Sequence, residues 1–127
     1  MDAKQKTLAL LGSVDAIDLN VETGTTLYTC PAGMVCYVTH VVMRNVAGAA
    51  LPLATVAASF GWNAGVSTNV IADAGRVLTD ETNYLAIVAI IDAVYGVAAE
   101  IFEIEVNTAE GAVATCSIDV FGYLVPV

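Results

Sequence analysis

The segment from Leu27 to Asn45 constrains this chain more than any other, because it predicts two adjoining β-strands and the turn between them. Val, Thr and Tyr are frequent in it, and these residues fit a pleated surface but lose side-chain freedom in a helix. Pro31 removes a backbone donor and Gly33 permits a positive φ, so the chain turns there. Met34 to Val46 is then a long strand. Because both of its faces are largely apolar, we expect it to be covered on both sides.

The last part of the chain has the sharpest period-two pattern. Between Ala112 and Val125, apolar and polar residues alternate, and near Gly122 two aromatic residues occupy positions on the formerly polar face. The apolar positions are Ala114, Cys116, Ile118 and Val120, and the two aromatic residues are Phe121 and Tyr123. This alternation is typical of a half-buried strand. The two aromatic side chains are expected either to lie under a loop or to form an interface.

Shorter apolar runs between turn signals complete an all-β chain. The predicted strands are Thr7 to Leu11, Val14 to Val21, Thr25 to Cys30, Tyr84 to Ile91, Val94 to Ala99 and Ile101 to Val106, and Leu51 to Trp62 is either a strand or a helix. About eight strands at this spacing predict an antiparallel β-sandwich. Both a jelly roll and an immunoglobulin-like sandwich fit, although no Cys…Trp…Cys spacing supports a true immunoglobulin domain. The jelly roll is favoured, because the predicted strands are long and the N-terminal pair is expected to be peripheral. Residues 7 to 127 are expected to form one such domain, preceded by a flexible arm at residues 1 to 6.

The chain carries more apolar surface than a domain of 127 residues hides easily. Hydrophobic residues make up 57% of it and charged residues 13%, whereas a typical soluble domain is about 25% charged. The most apolar run, Tyr84 to Phe102, contains Asp92 and Glu100 and does not fit a membrane-spanning helix. The run from Leu8 to Leu11 is short for a secretory signal. We therefore expect a protein with neither feature, which buries its surplus apolar surface in an oligomer or assembly.

The net charge of −9 excludes nucleic acid as a partner, because phosphate binding needs Lys and Arg. Two of the four basic residues, Lys4 and Lys6, lie in the N-terminal arm. The arm is expected to reach an acidic or groove-like surface on a neighbour and to become ordered on assembly. Deleting residues 1 to 6 tests this, since attachment should weaken while folding is unchanged.

Three cysteines occur, and an odd number argues against a pure disulfide scaffold. Cys30 and Cys36 flank the turn and are candidates for a redox-active or disulfide pair, which needs Cα atoms within about 7 Å. Three free thiols are nevertheless favoured, because disulfides are uncommon in a reducing cytoplasm. Cys116 is expected to be the least accessible, since it shares the apolar face of the last strand.

No arrangement of residues indicates catalysis, a cofactor or a metal site. His40 is the only histidine, and it is expected to be a hydrogen-bonded residue on a sheet face. Asp119 and Ser117 would pair with it only if the last strand lay near the long one. Zinc is excluded by the lack of a Cys-x-x-Cys pair, and no acidic residues have EF-hand spacing. Trp62 with a nearby tyrosine suits stacking on a sugar, but a lone Trp is more often core or interface.

Three motifs carry a family resemblance. They are Leu27-Tyr28-Thr29-Cys30-Pro31-Ala32-Gly33, then Val38-Thr39-His40-Val41-Val42-Met43-Arg44-Asn45, and the closing Val120-Phe121-Gly122-Tyr123-Leu124. Together they resemble a pattern in small structural proteins of tailed bacteriophages, over roughly residues 25 to 125. The resemblance implies a β-sandwich component of the virion and no catalytic residues. The three cysteines are a departure from the pattern.

The sequence therefore favours a non-enzymatic virion protein, first a capsid decoration or cement protein and second a neck, tail or fibre module. A small carbohydrate-binding module is the alternative from another class. The expected partners are further copies of the chain, as a trimer, and other virion proteins such as the major capsid protein. The predicted interface residues are Lys4, Lys6, Trp62, Phe121 and Tyr123.

Overall fold

The computed structural model describes residues 8–51, 53–62, 84–88 and 95–127, which form seven β-strands and no helix. The strands are β1 (Ala9–Asp18), β2 (Gly24–Thr29), β3 (Met34–Gly48), β4 (Ala57–Trp62), β5 (Tyr84–Val88), β6 (Ile101–Thr108) and β7 (Ala114–Pro126). All the pairings between them are antiparallel. The prediction of an all-β chain with antiparallel sheets is confirmed. The organisation as one domain over residues 7 to 127 stays a prediction, and the predicted arm lies outside the described residues.

The strands form two sheets with nested pairing. One sheet has the order β1-β7-β3-β5 and the other has the order β2-β6-β4. The first described strand therefore pairs with the last, the second with the last but one, and β3 with β5, and these pairs alternate between the two sheets. The result is a long hairpin folded over itself, so residues far apart in sequence become neighbours.

The core lies between the sheets and is built from the inward faces of β3, β7, β4 and β6. Its largest fully buried side chains are Trp62, Phe60, Phe102, Leu19, Met43 and Leu53. Trp62 meets Phe102 edge-on at a centroid distance of 5.3 Å, and Phe60 stacks on Phe102 at 6.5 Å. Each such side chain contributes about 2 kcal/mol by leaving water, which makes this cluster a principal source of stability.

Strand β7 follows the predicted alternation. Its four predicted apolar positions, Ala114, Cys116, Ile118 and Val120, are all buried in the core. Phe121 and Tyr123 lie on the outer face, as predicted, and are half-buried. The equivalent prediction for β6 also holds, since Phe102, Ile104 and Val106 point into the core.

Strand β3 departs from strict alternation. A register shift between Val38 and His40 inserts one residue opposite β7. The core side chains are therefore Cys36 and Val38 before the shift and Val41 and Met43 after it. Strict alternation from the sequence would place Cys36, Val38 and Val42 on one face, and the structure does not follow it, because a single inserted residue exchanges the two faces.

Both neighbours of β7 bulge at the same level. Register shifts lie between Val14 and Ile17 on β1 and between Arg44 and Ala47 on β3, and both face residues 115–118 of β7. Each bulge contains a residue with positive φ, Ala16 at 55° and Asn45 at 53°. Bulges increase local twist, so β1 and β3 bend on either side of the regular strand β7.

The N-terminal strand is continuous, which corrects the prediction of two strands separated by Gly12-Ser13. Here β1 passes so close to β2 that a Cβ on Gly12 would lie 2.5 Å from the carbonyl oxygen of Leu27. The glycine is therefore needed for the close approach of two strands, and it does not interrupt the strand.

The structure differs from the prediction in two other segments. Of Leu51 to Trp62, only Ala57–Trp62 is a strand, and all six of its residues are buried. Residues 95–100, part of a predicted strand, form an irregular segment with one bridge from Gly96 to Cys36.

Candidate functional site: the outer face of the four-stranded sheet

Aromatic rings line the outer face of the sheet where β3 and β7 run side by side. Tyr37 lies opposite Tyr123 in the register, and their rings stack with centroids 5.2 Å apart. The Tyr95 ring, from the irregular segment, is tilted against Tyr37 with centroids 5.6 Å apart. A loop residue therefore partly covers the aromatic face, and the exposed Tyr95 ring extends it.

One step along the strands, His40 stacks flat on Phe121, with an interplanar angle of 7° and a centroid distance of 4.7 Å. The hydroxyl of Thr39 lies 3.2 Å from the Phe121 carbonyl oxygen and 3.0 Å from Nδ1 of His40. Since the hydroxyl has one hydrogen and donates it to the carbonyl, its oxygen accepts from Nδ1–H of His40. The histidine is thus held on the sheet face by a hydrogen bond, as predicted.

We call Tyr37, His40, Tyr95, Phe121 and Tyr123 the aromatic surface. The side chain of Leu10, whose register partner is Phe121, is exposed beside it. Aromatic side chains with a polar tip are enriched at protein interfaces. The surface therefore has the chemistry of a contact face.

A polar network occupies the next part of the same face. Arg44 donates from Nε to Asp119 at 2.9 Å and from Nη2 to the other Asp119 oxygen at 3.1 Å. The Ser13 hydroxyl donates to Asp119 at 2.6 Å and accepts from Arg44, and Asp15 is 3.3 Å from the guanidinium. These side chains come from β1, β7 and β3, so the network fastens three neighbouring strands together.

The network sets the ionisation of Asp119. The hydrogen bond from Arg44 is the main cause that lowers the pKa of Asp119, and the hydrogen bond from Ser13 acts in the same direction against partial desolvation. Asp119 does not pair with His40. The last strand does lie beside the long one, but the Asp119 carboxylate is bound to Arg44, and the arrangement has no nucleophile–base pair.

Cys30 and Cys36 are joined by a disulfide across the turn between β2 and β3, with Cα atoms 6.1 Å apart. The structure differs here from the expectation of three free thiols, because the turn brings the two Cα atoms within bridging distance. Cys116 is the free cysteine and is buried, and desolvation raises the pKa of its thiol to about 12. The prediction that Cys116 is the least accessible is wrong, because Cys30 and Cys36 are as deeply buried, at 1% and 0% exposure compared with 1% for Cys116.

The disulfide lies under the irregular segment. Cys36 exchanges both backbone hydrogen bonds with Gly96, at 2.8 and 2.9 Å. Cys30 donates to Glu100 and accepts from Ala99, each at 2.9 Å. A Cβ on Gly96 would overlap the Trp62 ring. The disulfide, the irregular segment and the core tryptophan thus form one packed unit behind Tyr95.

The remaining predicted site residues fall elsewhere. Trp62 is 1% exposed and packs in the core, which corrects both the interface and the sugar-stacking interpretation of this residue. Lys4 and Lys6 lie outside the described residues. Sequence reasoning missed Tyr37, Tyr95 and the Arg44–Asp119 pair. The aromatic residues Phe121 and Tyr123 on a formerly polar face indicated which face of β7 to examine. Their stacking partners on β3 could not be predicted, because they depend on the register of β3 against β7.

The residues that the structure describes include no group of three or more His, Cys, Asp or Glu side chains placed to hold a metal ion. In the same part of the chain there is no helix long and apolar enough to cross a membrane.

Comparisons with known proteins give matches in fold. No protein-family model matches the chain, and neither does any curated protein. A chain of the cyanophage Pam1 capsid asymmetric unit matches with a TM-score of 0.60 and 19% identity, over 98% of this chain and 90% of that one. A chain of the acidic stable capsid structure of Helicobacter pylori bacteriophage KHP30 matches with a TM-score of 0.52 and 15% identity, over 96% of this chain and 98% of that one. At these identities the likeness establishes a shared fold.

We predict that reducing the Cys30–Cys36 disulfide lowers the free energy of unfolding by about 2 kcal/mol, because the cross-link restricts the unfolded chain over a short loop. The melting temperature should fall by several degrees. Thermal unfolding with and without a phosphine reductant measures this, and mass spectrometry verifies the reduced state. The control is the Cys30→Ser, Cys36→Ser double variant, whose melting temperature should not respond to reductant. An unchanged melting temperature for the fully reduced wild-type protein would contradict the prediction.

We also predict that Asp119 makes stability depend on acid pH. The pKa of Asp119 is lower in the folded state, so its stabilisation is full above the unfolded value of about 3.9 and is lost as pH falls through the folded-state pKa. Asp119→Asn should cost no more than about 1 kcal/mol near neutral pH, since solvent screens the pair, and should flatten the acid limb of the stability curve.

The matched control is Asp15→Asn. Asp15 contacts the same guanidinium, but its side chain is 77% exposed compared with 17% for Asp119. Chemical denaturation between pH 2 and 7 compares the two variants. Equal effects of the two substitutions would show that the network does not depend on Asp119.

Proposed function

We propose that this chain is a non-enzymatic structural protein of a tailed-phage virion that decorates and stabilises the capsid. The observation that carries the proposal is the likeness over nearly the whole chain to chains of two phage capsid structures. The Tyr-Thr-Cys-Pro-Ala-Gly and Val-Phe-Gly-Tyr-Leu motifs, with their resemblance to phage structural proteins, support it independently. In this proposal the protein is made in the host cytoplasm and functions in the virion.

We propose a jelly roll as the specific topology. In a jelly roll a long hairpin wraps so that its first and last strands pair, and successive pairs alternate between two sheets. The nested pairs β1–β7, β2–β6 and β3–β5 alternate in this way. Such folds suit a capsid surface protein, because antiparallel sheets can bury one face in the core and offer the other to partners.

The aromatic surface is the proposed contact between copies of the chain, which are expected to form a trimer. Phe121 and Tyr123 are half-buried in the isolated chain, and their stacking partners His40 and Tyr37 hold the rings in place. A fixed aromatic face loses little side-chain entropy on association. Association through this face would also bury part of the surplus apolar surface that the composition predicts.

Localisation on intact particles tests the function. Gold-labelled antibody against the protein should bind repeatedly over the head, because a decoration protein occupies many equivalent positions. A neck, tail or fibre module would instead give label at one vertex or along the tail, which would reject capsid decoration. Absence of label from purified particles would reject a virion role altogether.

We predict that Tyr123→Ser weakens self-association at least about tenfold, because a tyrosine at an interface hot spot contributes about 2 kcal/mol or more. Analytical ultracentrifugation over a concentration series measures the change. Val113→Ser is the control, since Val113 is more exposed and directly precedes the opposite end of β7. A wild-type chain that stays monomeric at high concentration would contradict the prediction.

A further inference from the structure

Three loops meet at the end of the sandwich opposite the β2–β3 turn. Residues 19–23 follow β1, residues 49–51 and 53–56 follow β3, and residues 109–113 precede β7. Since β1, β7 and β3 are neighbours in one sheet, these loops emerge side by side. Their backbones are joined by hydrogen bonds from Ala49 N to the Val113 oxygen and from Leu19 N to the Ala114 oxygen, both 2.9 Å.

Each loop exposes a large aliphatic side chain. Val113 is 71% exposed, Val21 is 48% exposed and Leu51 is 47% exposed. The alanines at 47, 49 and 50 are exposed at the end of β3 and in the loop after it. Val113 belongs to the central loop, which lies between the loops of Val21 and Leu51. We call these three side chains the loop-end surface. Turns usually carry polar residues, and grouped exposed apolar side chains mark interaction sites.

The loop-end surface is held in shape. The Glu110 carboxylate accepts hydrogen bonds from the backbone N–H groups of Ala54 and Thr55, both 2.7 Å, and of Val56 at 3.1 Å. The Asn20 side chain accepts from Gly111 N at 2.8 Å. A surface fixed before binding loses little conformational entropy when it binds, which favours docking by this end.

Acidic groups lie at two of the three loops. Asp18 and Glu22 are exposed at the first loop, and Glu110 is half-buried at the central one. Within the described ranges Arg44 is the only Lys or Arg, and it is bound to Asp119 and Asp15. A second copy would bring the same acidic rim against this one, which electrostatic repulsion disfavours. A complementary partner has an apolar patch with Lys or Arg around it.

We propose that the loop-end surface docks this protein end-on onto a protein shell, at an apolar patch ringed by basic side chains. This inference rests on the proposed function, since it assigns the attachment site of the decoration protein. Val113 is the central contact, Val21 and Leu51 flank it, and Glu22 supplies charge complementarity. The aromatic surface stays free for other copies, because Ala114 and Tyr123 are about 30 Å apart along β7 at roughly 3.3 Å per residue.

Rebinding of purified protein to phage heads that lack it tests the site. Val113→Asp should reduce binding at least about tenfold, because it places a charge in the apolar contact. Val127→Asp is the matched control, since Val127 is 91% exposed at the opposite end, where its N–H donates to the Gly33 carbonyl. Both substitutions are at exposed positions and should leave the melting temperature unchanged.

A second variant tests the charge. Glu22→Lys should weaken binding, and added salt should weaken wild-type binding more than that of Glu22→Gln, because salt screens attraction between opposite charges.

Each outcome decides between the proposals. Heads that bind the wild-type protein and Val113→Asp equally would overturn the docking site and leave the proposed function standing. Heads that do not bind the wild-type protein would reject the proposed function and the docking site together. If Val113→Asp dissociates the oligomer and leaves head binding intact, a second copy occupies the surface, and the basic-rimmed partner is rejected.

Discussion

The pairing of β7 with β1 on one side and β3 on the other is the constraint on which the structure depends. It joins residues near both termini with the longest strand, and its inward side chains form one wall of the core. Arg44, Asp119 and Ser13 fasten the same three strands on the outer face. Because the paired strands are far apart in sequence, the chain must close large loops before this ladder stabilises anything, which predicts slow folding relative to a helical domain of equal size.

The sequence predicts strand identity well where side chains alternate, and it fails where a residue is inserted. Period two placed Cys116, Ile118 and Val120 of β7 inward, because burial on one face selects apolar residues at every second position. On β3 the bulge at Thr39 reverses the faces. It is visible only in the pairing with β7, where Val38 lies opposite Gly122 and His40 lies opposite Phe121. Local sequence does not contain that information, because a bulge depends on the register between two strands.

The candidate surfaces could likewise be predicted only in part, because local sequence identifies some of their residues and strand register determines the others. Phe121 and Tyr123 could be identified from their break in polarity, but Tyr37 and Tyr95 join them only through register and a loop contact. A lone Trp is typical of either a core or an interface, and only the burial of every position of β4 shows that Trp62 belongs to the core. Composition therefore indicated that surplus apolar surface exists, and tertiary structure was needed to locate it.

The rigidity of β7 connects the two proposed contact surfaces. The loop-end surface begins at its first residues and the aromatic surface lies on its last ones, so one strand fixes their separation and relative orientation. The bulges of β1 and β3 face β7 between these surfaces, and the local twist there sets how one surface is turned with respect to the other. If both proposed contacts form, they need such a fixed angle, because an error in it would prevent the two contacts from forming at once. The positive φ of Ala16 is in keeping with this, since a non-glycine residue keeps that conformation only where the surrounding structure imposes it.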